Sequence, residues 1–190
     1  MAISADEPNR RDFIHIATTA FLVVGGAAAL WPAVDQMNPS EATLATGTVD
    51  VDIAPIEPGM AITVMWRGKP VFIRHRTEEE IEAAKAVDVS DLPDPNVFAM
   101  GDQAGLPATD DNITAEGHRQ WLVVIGICTH LGCIPKGNKP SENRGEWGGW
   151  FCPCHGSHYD TAGRIRKGPA ARNLELPLFS FTSDTTIQLG

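Results

Sequence analysis

The sequence has little positive charge, and this deficit narrows the possible functions. Asp and Glu outnumber Lys and Arg by 24 to 15 in 190 residues, which gives a formal net charge of −9. A nucleic-acid-binding protein would instead show a clustered basic surface. We therefore exclude nucleic acid as a partner. The acidity could serve a basic partner protein, or it could simply keep the folded chain soluble.

Cysteine is absent from the first 127 residues of the chain. All four cysteines then fall close together, at Cys128, Cys133, Cys152 and Cys154. Cysteines that only filled a core would be scattered, so this grouping predicts a metal site, a disulfide or both. Helical periodicity is also scarce beyond one long N-terminal stretch, while 18 Gly and 14 Pro indicate many turns.

The stretch from Phe13 to Val34 contains no Asp, Glu, Lys or Arg. As a helix it would be long enough to cross the roughly 30 Å hydrocarbon layer of a membrane. Its Gly25–Gly26 pair suits close helix packing in a bilayer. We predict a retained transmembrane anchor over residues 13–34. The alternative is a cleaved signal peptide, with 27–29 (Ala-Ala-Ala) as the cleavage region.

Charges around this stretch predict its orientation. Arg10 and Arg11 precede it, the next basic residue is Arg67, and acidic residues follow the apolar run. The positive-inside rule then places residues 1–12 in the cytoplasm and the bulk of the chain outside. Residues 10–14 (RRDFI) also resemble a twin-arginine export signal, and that pathway carries folded proteins. The sequence thus predicts a single-pass protein of the bacterial inner membrane with a periplasmic head.

The rest of the chain predicts a tether followed by a mainly β domain. Residues 35–48 are small, polar and weakly patterned, as expected of a flexible tether. Residues 49–190 form the predicted domain, with a capped helix from Thr77 to about Ala86 and a long surface excursion over 91–114. Strands are predicted over 49–53, 61–66, 70–74 and 121–127, followed by two closing strands between 174 and 189 with a turn at 182–184.

Two short boxes carry the chemistry of this domain. Residues 128–133 read CTHLGC and residues 152–157 read CPCHGS. Two thiolates and two imidazoles would leave a [2Fe–2S] cluster less negative than four thiolates, which raises its reduction potential. A structural zinc ion accepts the same donor set. However, the C-x-H and C-x-x-H spacings are unlike those of a zinc finger, and zinc would leave the second cysteine pair unexplained.

Both boxes match those of the Rieske family without departure, and the whole chain resembles the Rieske subunits of bacterial cytochrome bc1 complexes. The resemblance implies an antiparallel β-sandwich head with a small cluster-binding subdomain over about residues 126–170. It also implies a Rieske-type [2Fe–2S] cluster with two cysteines on one iron and two histidines on the other. The implied ligands are Cys128, Cys152, His130 and His155.

The resemblance assigns roles to further residues around the cluster. Cys133 and Cys154 are expected to form a disulfide between the two loops, and Leu131 is expected to contact the quinol pocket. The hydroxyls of Ser157 and Tyr159 should donate to a cluster sulfide and to a cysteine sulfur, which raises the potential. The remaining expected contributors to the cluster environment are Gly132, Gly156 and Pro169 of the Gly168-Pro169-Ala170 loop. The other histidines considered, His15, His75 and His118, are expected to be surface or structural residues.

The implied function is one half of a bifurcated quinol oxidation. Ubiquinol would give one electron to the cluster and the other to a b-type haem, with proton release through His130 or His155. The head would then deliver its electron to cytochrome c1. Expected partners are the cytochrome b and cytochrome c1 subunits, ubiquinol and membrane lipid, within a dimeric complex of the respiratory chain. Alternatives are the Rieske small subunit of another exported oxidoreductase, such as arsenite oxidase, and a non-redox zinc module.

Overall fold

The computed structural model describes residues 9–38 and 47–190. These residues belong to two compact units divided at Ala45, and each unit is described by itself. Residues 39–46, which hold most of the predicted tether, lie outside the described residues. The same is true of residues 1–8, which make up most of the predicted cytoplasmic segment.

The first unit contains one long helix, α1 (Arg10–Asp35). It begins before the apolar run because Asn9 caps it. The Asn9 side chain accepts hydrogen bonds from the backbone N–H groups of Arg11 and Asp12, and the Asp12 carboxylate accepts from the Asn9 N–H. Among the described residues this helix is long and apolar enough to cross a membrane, and none of its residues is buried within the unit. The predicted apolar N-terminal helix is therefore confirmed.

The second unit is built from three antiparallel sheets of three strands each. The first sheet has the order β1-β9-β8, the second β2-β3-β4 and the third β5-β6-β7. The strands are β1 (Val49–Asp52), β2 (Ala61–Trp66), β3 (Lys69–His75), β4 (Trp121–Ile125), β5 (Gly148–Cys152), β6 (Ser157–Asp160), β7 (Ile165–Lys167), β8 (Phe179–Ser183) and β9 (Thr186–Leu189). Two short helices, α2 (Glu78–Lys85) and α3 (Asp110–Ile113), and a 3-10 turn (Val89–Asp91) lie between β3 and β4. The predicted mainly β antiparallel head is confirmed.

The first two sheets share one hydrophobic core and form the base of the head. Trp66 and Ile73 from the second sheet are buried in the same cluster as Ile187 and Leu189 from the first sheet. Each such large side chain stabilises the fold by about 1.5–3 kcal/mol when fully buried. The β2–β3 hairpin turns within two residues, Arg67 and Gly68, which have φ values of 48° and 74°. Positive φ at both positions matches the twist of the flanking strands.

The capping box predicted at Thr77 is present at the start of α2. The Thr77 hydroxyl accepts from the Glu80 backbone N–H, and the Glu80 carboxylate accepts from the Thr77 N–H.

The turn predicted at 182–184 lies later in the chain than expected. Ser183 pairs with Thr186, so Thr182 and Ser183 remain in β8 and the turn follows them.

The excursion predicted over residues 91–114 is only partly at the surface. Leu92, Val97, Ala108 and Ile113 are buried in the second hydrophobic core of the head. The segment follows an irregular path, but its apolar side chains cover the core beneath the cluster loops. Asp110 anchors it, because its carboxylate accepts two hydrogen bonds from the buried guanidinium of Arg76, the shorter one at 2.6 Å.

The third sheet and the loops around it form the cluster-side subdomain. Its core includes a residue of the second sheet, since Phe72 of β3 stacks on Trp150 of β5 with ring centroids 5.9 Å apart. Cys128 and Cys152 belong to this same buried cluster. The candidate site is therefore seated on a packed core rather than on a free loop.

Candidate cluster-binding site

The two boxes adopt the same local conformation. In the first loop the Gly132 N–H donates to the Cys128 carbonyl at 3.0 Å, and in the second the Gly156 N–H donates to the Cys152 carbonyl at 3.0 Å. The two glycines have φ values of 81° and 77°. This left-handed conformation strains residues that carry a Cβ, so glycine lets each loop turn back immediately after its cysteine.

Rigid strands position both loops. The first loop follows β4, whose five residues are all buried, and closes where the Cys128 N–H donates to the Cys133 carbonyl at 2.8 Å. The second loop connects β5 to β6, with Cys152 paired opposite Ser157. Strand β4 thus fixes the backbone at the entry to the first box, and strand β5 does the same for the second.

The structure brings all four predicted ligand residues together at one end of the head. Cys128 and Cys152 are each only 2% exposed, whereas His130 is half-buried and His155 is exposed. The two imidazole centroids lie 4.6 Å apart with their planes nearly perpendicular, at 85°. The thiols therefore occupy the interior side of the site and the imidazoles its solvent side.

One buried ring nitrogen of the site has no hydrogen-bond partner in the described part of the chain, as expected of an atom that coordinates a metal. Among the described residues, Nδ1 of His130 is buried and has no hydrogen-bond partner. Such an atom is costly unless a ligand or metal engages it. Burial raises the pKa of the Cys152 thiol, and the adjacent Cys128 sulfur adds to the effect. A raised pKa favours the protonated thiol. Coordination to iron would instead favour the thiolate, because a coordinated thiol is deprotonated. Two buried thiols beside two imidazoles fit a mixed-ligand [2Fe–2S] cluster.

The second cysteine pair links the loops. The structure pairs Cys133 with Cys154 as a disulfide, with their Cα atoms 6.8 Å apart. The Cys152 sulfur lies within 4.8 Å of both disulfide sulfurs. A three-cysteine metal site at this point is nevertheless excluded, because bonded sulfurs are not thiolate ligands. Cys128 and Cys152 remain as the free thiols.

Tyr159 lies beneath the first loop. Its hydroxyl donates to the Cys128 sulfur at 3.3 Å and accepts from the Thr129 backbone N–H at 3.3 Å. Burial raises the pKa of Tyr159, so the phenol stays protonated and able to donate. The Thr129 hydroxyl donates to the Arg172 carbonyl at 2.6 Å, which ties the first loop to the segment after Pro169. This contact could not be foreseen from the sequence, although Thr129 stands inside the first box.

The predicted third loop contacts the second one. The Ala170 N–H donates to the buried Ser157 hydroxyl at 3.2 Å, so the hydroxyl proton of Ser157 is free to point elsewhere. Gly168 has φ 109°, and a Cβ there would lie 2.5 Å from the Gly156 carbonyl oxygen. Only glycine therefore allows this close approach. Pro169 itself is exposed beside the site.

The tip of the first loop presents apolar side chains to solvent. Leu131 is 71% exposed and Ile134 is 59% exposed. Exposed apolar groups beside a functional site indicate a contact surface. His75 and His118 lie away from the cluster loops. His75 stacks on Trp121 and His118 stacks on Phe181, which agrees with the structural role expected for these two.

A buried ion pair that the sequence did not reveal supports the site from below. The Asp160 carboxylate accepts from the Arg164 guanidinium at 2.8 Å and from the backbone N–H groups of Ala162 and Arg164. Arg164 also donates to the carbonyls of Ala84 and Ala108. The β6–β7 turn is thereby joined to α2 and to the segment before α3.

Comparison with known proteins agrees with this geometry. The "Rieske [2Fe-2S] domain" family matches residues 80–181, and the family described as "Ubiquitinol-cytochrome C reductase Fe-S subunit TAT signal" matches residues 1–40. The chain is 53% identical to the ubiquinol-cytochrome c reductase iron-sulfur subunit of Bradyrhizobium diazoefficiens over 190 residues, which cover 100% of this chain and 98% of that protein. It is also 53% identical to the corresponding subunit of Rhodospirillum rubrum over 184 residues, covering 97% and 93%.

A solved structure is similar over most of the chain. It is described as hyperthermophilic respiratory Complex III, and it covers 92% of this chain and 98% of its own at 26% identity, with a TM-score of 0.52. The fold and the paired loops define a Rieske-type iron–sulfur protein, an electron carrier that binds a [2Fe–2S] cluster. The chain belongs to the family of iron–sulfur subunits of ubiquinol–cytochrome c reductase, the cytochrome bc1 complex. It is a membrane-anchored subunit of that oxidoreductase, with a twin-arginine signal at its N-terminus.

Proposed function

We propose that this subunit takes one electron from ubiquinol, releases a proton with it, and delivers the electron to cytochrome c1. One observation carries the proposal. Two buried thiols and two imidazoles meet at the tip of the head, and the imidazole side is open to solvent. A Rieske cluster bound there supplies a one-electron acceptor of raised potential. The residues around the cluster then control which molecules can reach it.

The proposed cluster ligands are Cys128, His130, Cys152 and His155. The buried cysteines would hold the inner iron, because both sulfurs lie on the interior side of the site. The histidines would hold the outer iron. His155 is the more exposed of the two, so its ring is the better placed to accept a hydrogen bond and a proton from quinol.

Apolar side chains would position the substrate. Leu131 and Ile134 stand exposed beside the imidazoles and provide a surface on which a hydrophobic quinol pocket of cytochrome b could close. Such closure excludes water and holds the quinol hydroxyl close to the imidazole nitrogen. Residues Gly132 and Gly156 keep both loops tight enough for this approach.

We further propose that the N-terminus lies in the cytoplasm and the head in the periplasm. Arg10 and Arg11 flank one end of α1, and the other end is followed by acidic residues, as the positive-inside rule expects. The proposed partners are cytochrome b and cytochrome c1, within a dimeric complex in the bacterial inner membrane. Residues 35–48 are proposed as the tether that allows the head to reach both.

Single substitutions of the imidazole ligands test the function. His130→Ser and His155→Ser should each abolish the Rieske-type EPR signal and quinol-dependent reduction of cytochrome c in purified complexes. His118→Ser is the matched control, because that ring stacks on Phe181 in the base. It should retain both the signal and the turnover. A complex that kept an unchanged signal after either ligand substitution would contradict the assignment of that histidine.

A further inference from the structure

Charge is distributed unevenly over the head. Residues 126–172, which hold the cluster loops, contain seven Lys or Arg and three Asp or Glu. Residues 47–125 and 173–190 contain six Lys or Arg and sixteen Asp or Glu. The acidity of the chain therefore lies outside the segment that carries the cluster loops, mostly in the connection 77–118 between β3 and β4, which holds eleven Asp or Glu and one Lys. The segment 126–172 is basic.

Each acidic group of the cluster-side subdomain is already engaged. Asp160 is buried against Arg164. The Glu142 carboxylate accepts from the backbone N–H groups of Gly137 and Lys139, which lowers the pKa of that carboxyl. Glu146 pairs with Lys167 at 2.7 Å. Asp160 and Glu146 are therefore offset by partner cations, whereas Glu142 stays ionised beside Lys139, and the segment keeps more cations than anions.

Three of those cations, Lys136, Lys139 and Arg172, form what we call the basic collar. All three are exposed and form no salt bridge with the residues that the structure describes. Lys136 pairs through its backbone with Phe151, the residue before Cys152. Lys139 follows three residues later in the same loop.

Arg172 lies on the side of the first cluster loop. Its carbonyl accepts from Thr129, and its side chain lines a cavity together with Cys128, Gly132 and Glu175, whose carboxylate pairs with Lys69. Arg172 therefore lies beside the first cluster loop and Lys136 beside the strand that enters the second, while the exposed Leu131 and Ile134 belong to the first loop and its exit. An apolar centre with a charged rim is the anatomy of a protein–protein interface.

We propose that the basic collar docks the cluster tip onto an acidic surface of the electron-accepting protein of the complex. This inference rests on the proposed function and adds the chemistry of the partner surface. The acidic connection 77–118 is repelled by the same surface, which favours an approach through the collar. An anionic lipid surface is the poorer partner, because it repels the acidic connection and offers no electron acceptor at the tip.

The test uses the complete complex and a matched pair of variants. The collar variant is Lys136→Gln, Lys139→Gln and Arg172→Gln. The control, Arg67→Gln, Lys85→Gln and Arg119→Gln, removes three exposed cations that lie outside residues 126–172. The measurement is the single-turnover rate of acceptor-haem reduction after quinol addition, without soluble cytochrome c, at low and high salt. EPR and the midpoint potential are recorded for each variant to account for changes in driving force.

At low ionic strength the collar variant should be slower than wild type by about tenfold, within the range that electrostatic steering produces. The control should match wild type. The difference should vanish near 1 M salt, where the screening length falls to about 3 Å. Equal rates for the collar variant and wild type at low salt, or equal slowing by the control, would overturn the proposal.

Lipid is separated from protein by reconstitution. In vesicles of phosphatidylcholine alone, the collar effect should persist. An effect seen only when phosphatidylglycerol is added would assign the collar to anionic lipid and overturn the proposal. Failure of the proposed function has a different signature, because wild type itself would then reduce no acceptor haem from quinol.

Discussion

At the residue scale, we propose that the hydroxyl of Tyr159 tunes how readily the site accepts an electron. It donates to the Cys128 sulfur at 3.3 Å from a buried position. Such a bond stabilises the electron-rich reduced state more than the oxidised state. Tyr159→Phe should therefore lower the midpoint potential by about 20–65 mV, which corresponds to about 0.5–1.5 kcal/mol for one hydrogen bond and one electron.

Redox titration followed by EPR measures this shift. Ser180→Ala removes an exposed hydroxyl from β8 and should leave the potential unchanged. A Tyr159→Phe protein with an assembled cluster and the wild-type potential would show that the bond to Cys128 does no tuning.

Ser157 supports a companion prediction at the same scale. Its hydroxyl accepts from the Ala170 N–H and so has its own proton to donate toward the cluster. Ser157→Ala should lower the potential by about the same 20–65 mV. Because Ala170 would also lose a partner, thermal loss of the EPR signal should be recorded alongside. A stability loss with no change in potential would limit Ser157 to holding the third loop.

The four expected ligands followed from the resemblance of the two boxes to the Rieske family, and each box supplies one cysteine and one histidine to the same end of the head. Which of the two histidines is the more exposed could not be predicted. Nothing in the strings CTHLGC and CPCHGS shows that His155 is exposed while His130 is half-buried. The Thr129 bond to Arg172 was equally hidden, since it joins residues 43 apart through a backbone carbonyl that any residue type carries.

At the element scale, the Cys133–Cys154 disulfide holds the two cluster loops together across a sequence separation of 21. Closing a loop of this length contributes about 3 kcal/mol in the chain-entropy account. Cys133→Ala combined with Cys154→Ala should therefore release the cluster at a lower temperature, followed as loss of the EPR signal on heating. Mass spectrometry of the alkylated, non-reduced wild type should show both thiols blocked. Free thiols at these positions would contradict the pairing.

The Asp160–Arg164 pair provides a second element-scale prediction. Both side chains are buried, and Arg164 reaches the Ala84 and Ala108 carbonyls. Asp160→Ala leaves a buried guanidinium without its counter-charge, which should destabilise the head by about 3–5 kcal/mol. Thermal or urea unfolding of the complex's head measures the loss.

An exposed ion pair is the control for that experiment. Glu146 and Lys167 also form a salt bridge, but their side chains are 53% and 58% exposed. Glu146→Ala should therefore cost no more than about 1 kcal/mol. Equal losses in the two variants would mean that burial does not govern the contribution of Asp160.

Elements with a strong local pattern were predictable. The apolar run at Trp121 marked β4, and the capping box at Thr77 marked the start of α2. The segment 91–114 was misjudged in part because its Pro, Gly and Asp residues favour irregular backbone, which does not reveal burial. Its position depends on the long-range pair between Arg76 and Asp110, 34 residues apart. The pairing of β1 with β9 is likewise a long-range outcome.

At the scale of the whole molecule, composition alone gave a misleading picture of charge. The net value of −9 describes an acidic protein, yet the cluster-side residues 126–172 are basic. A sum over the chain cannot show where folding places each charge. Sequence did identify the apolar anchor and the family resemblance, because both depend on contiguous residues.

The central claim is that two imidazoles and two thiolates of this chain bind one iron–sulfur cluster. It is tested most directly by pulsed EPR of the reduced, full-length subunit in native membranes, grown with ordinary or ¹⁵N-labelled histidine. The account predicts a Rieske-type signal with couplings from two histidine nitrogens that change with the label, and loss of that signal in His130→Ser and His155→Ser. A paramagnetic signal without any ¹⁵N-sensitive coupling, or zinc in place of iron with no signal at all, would contradict it.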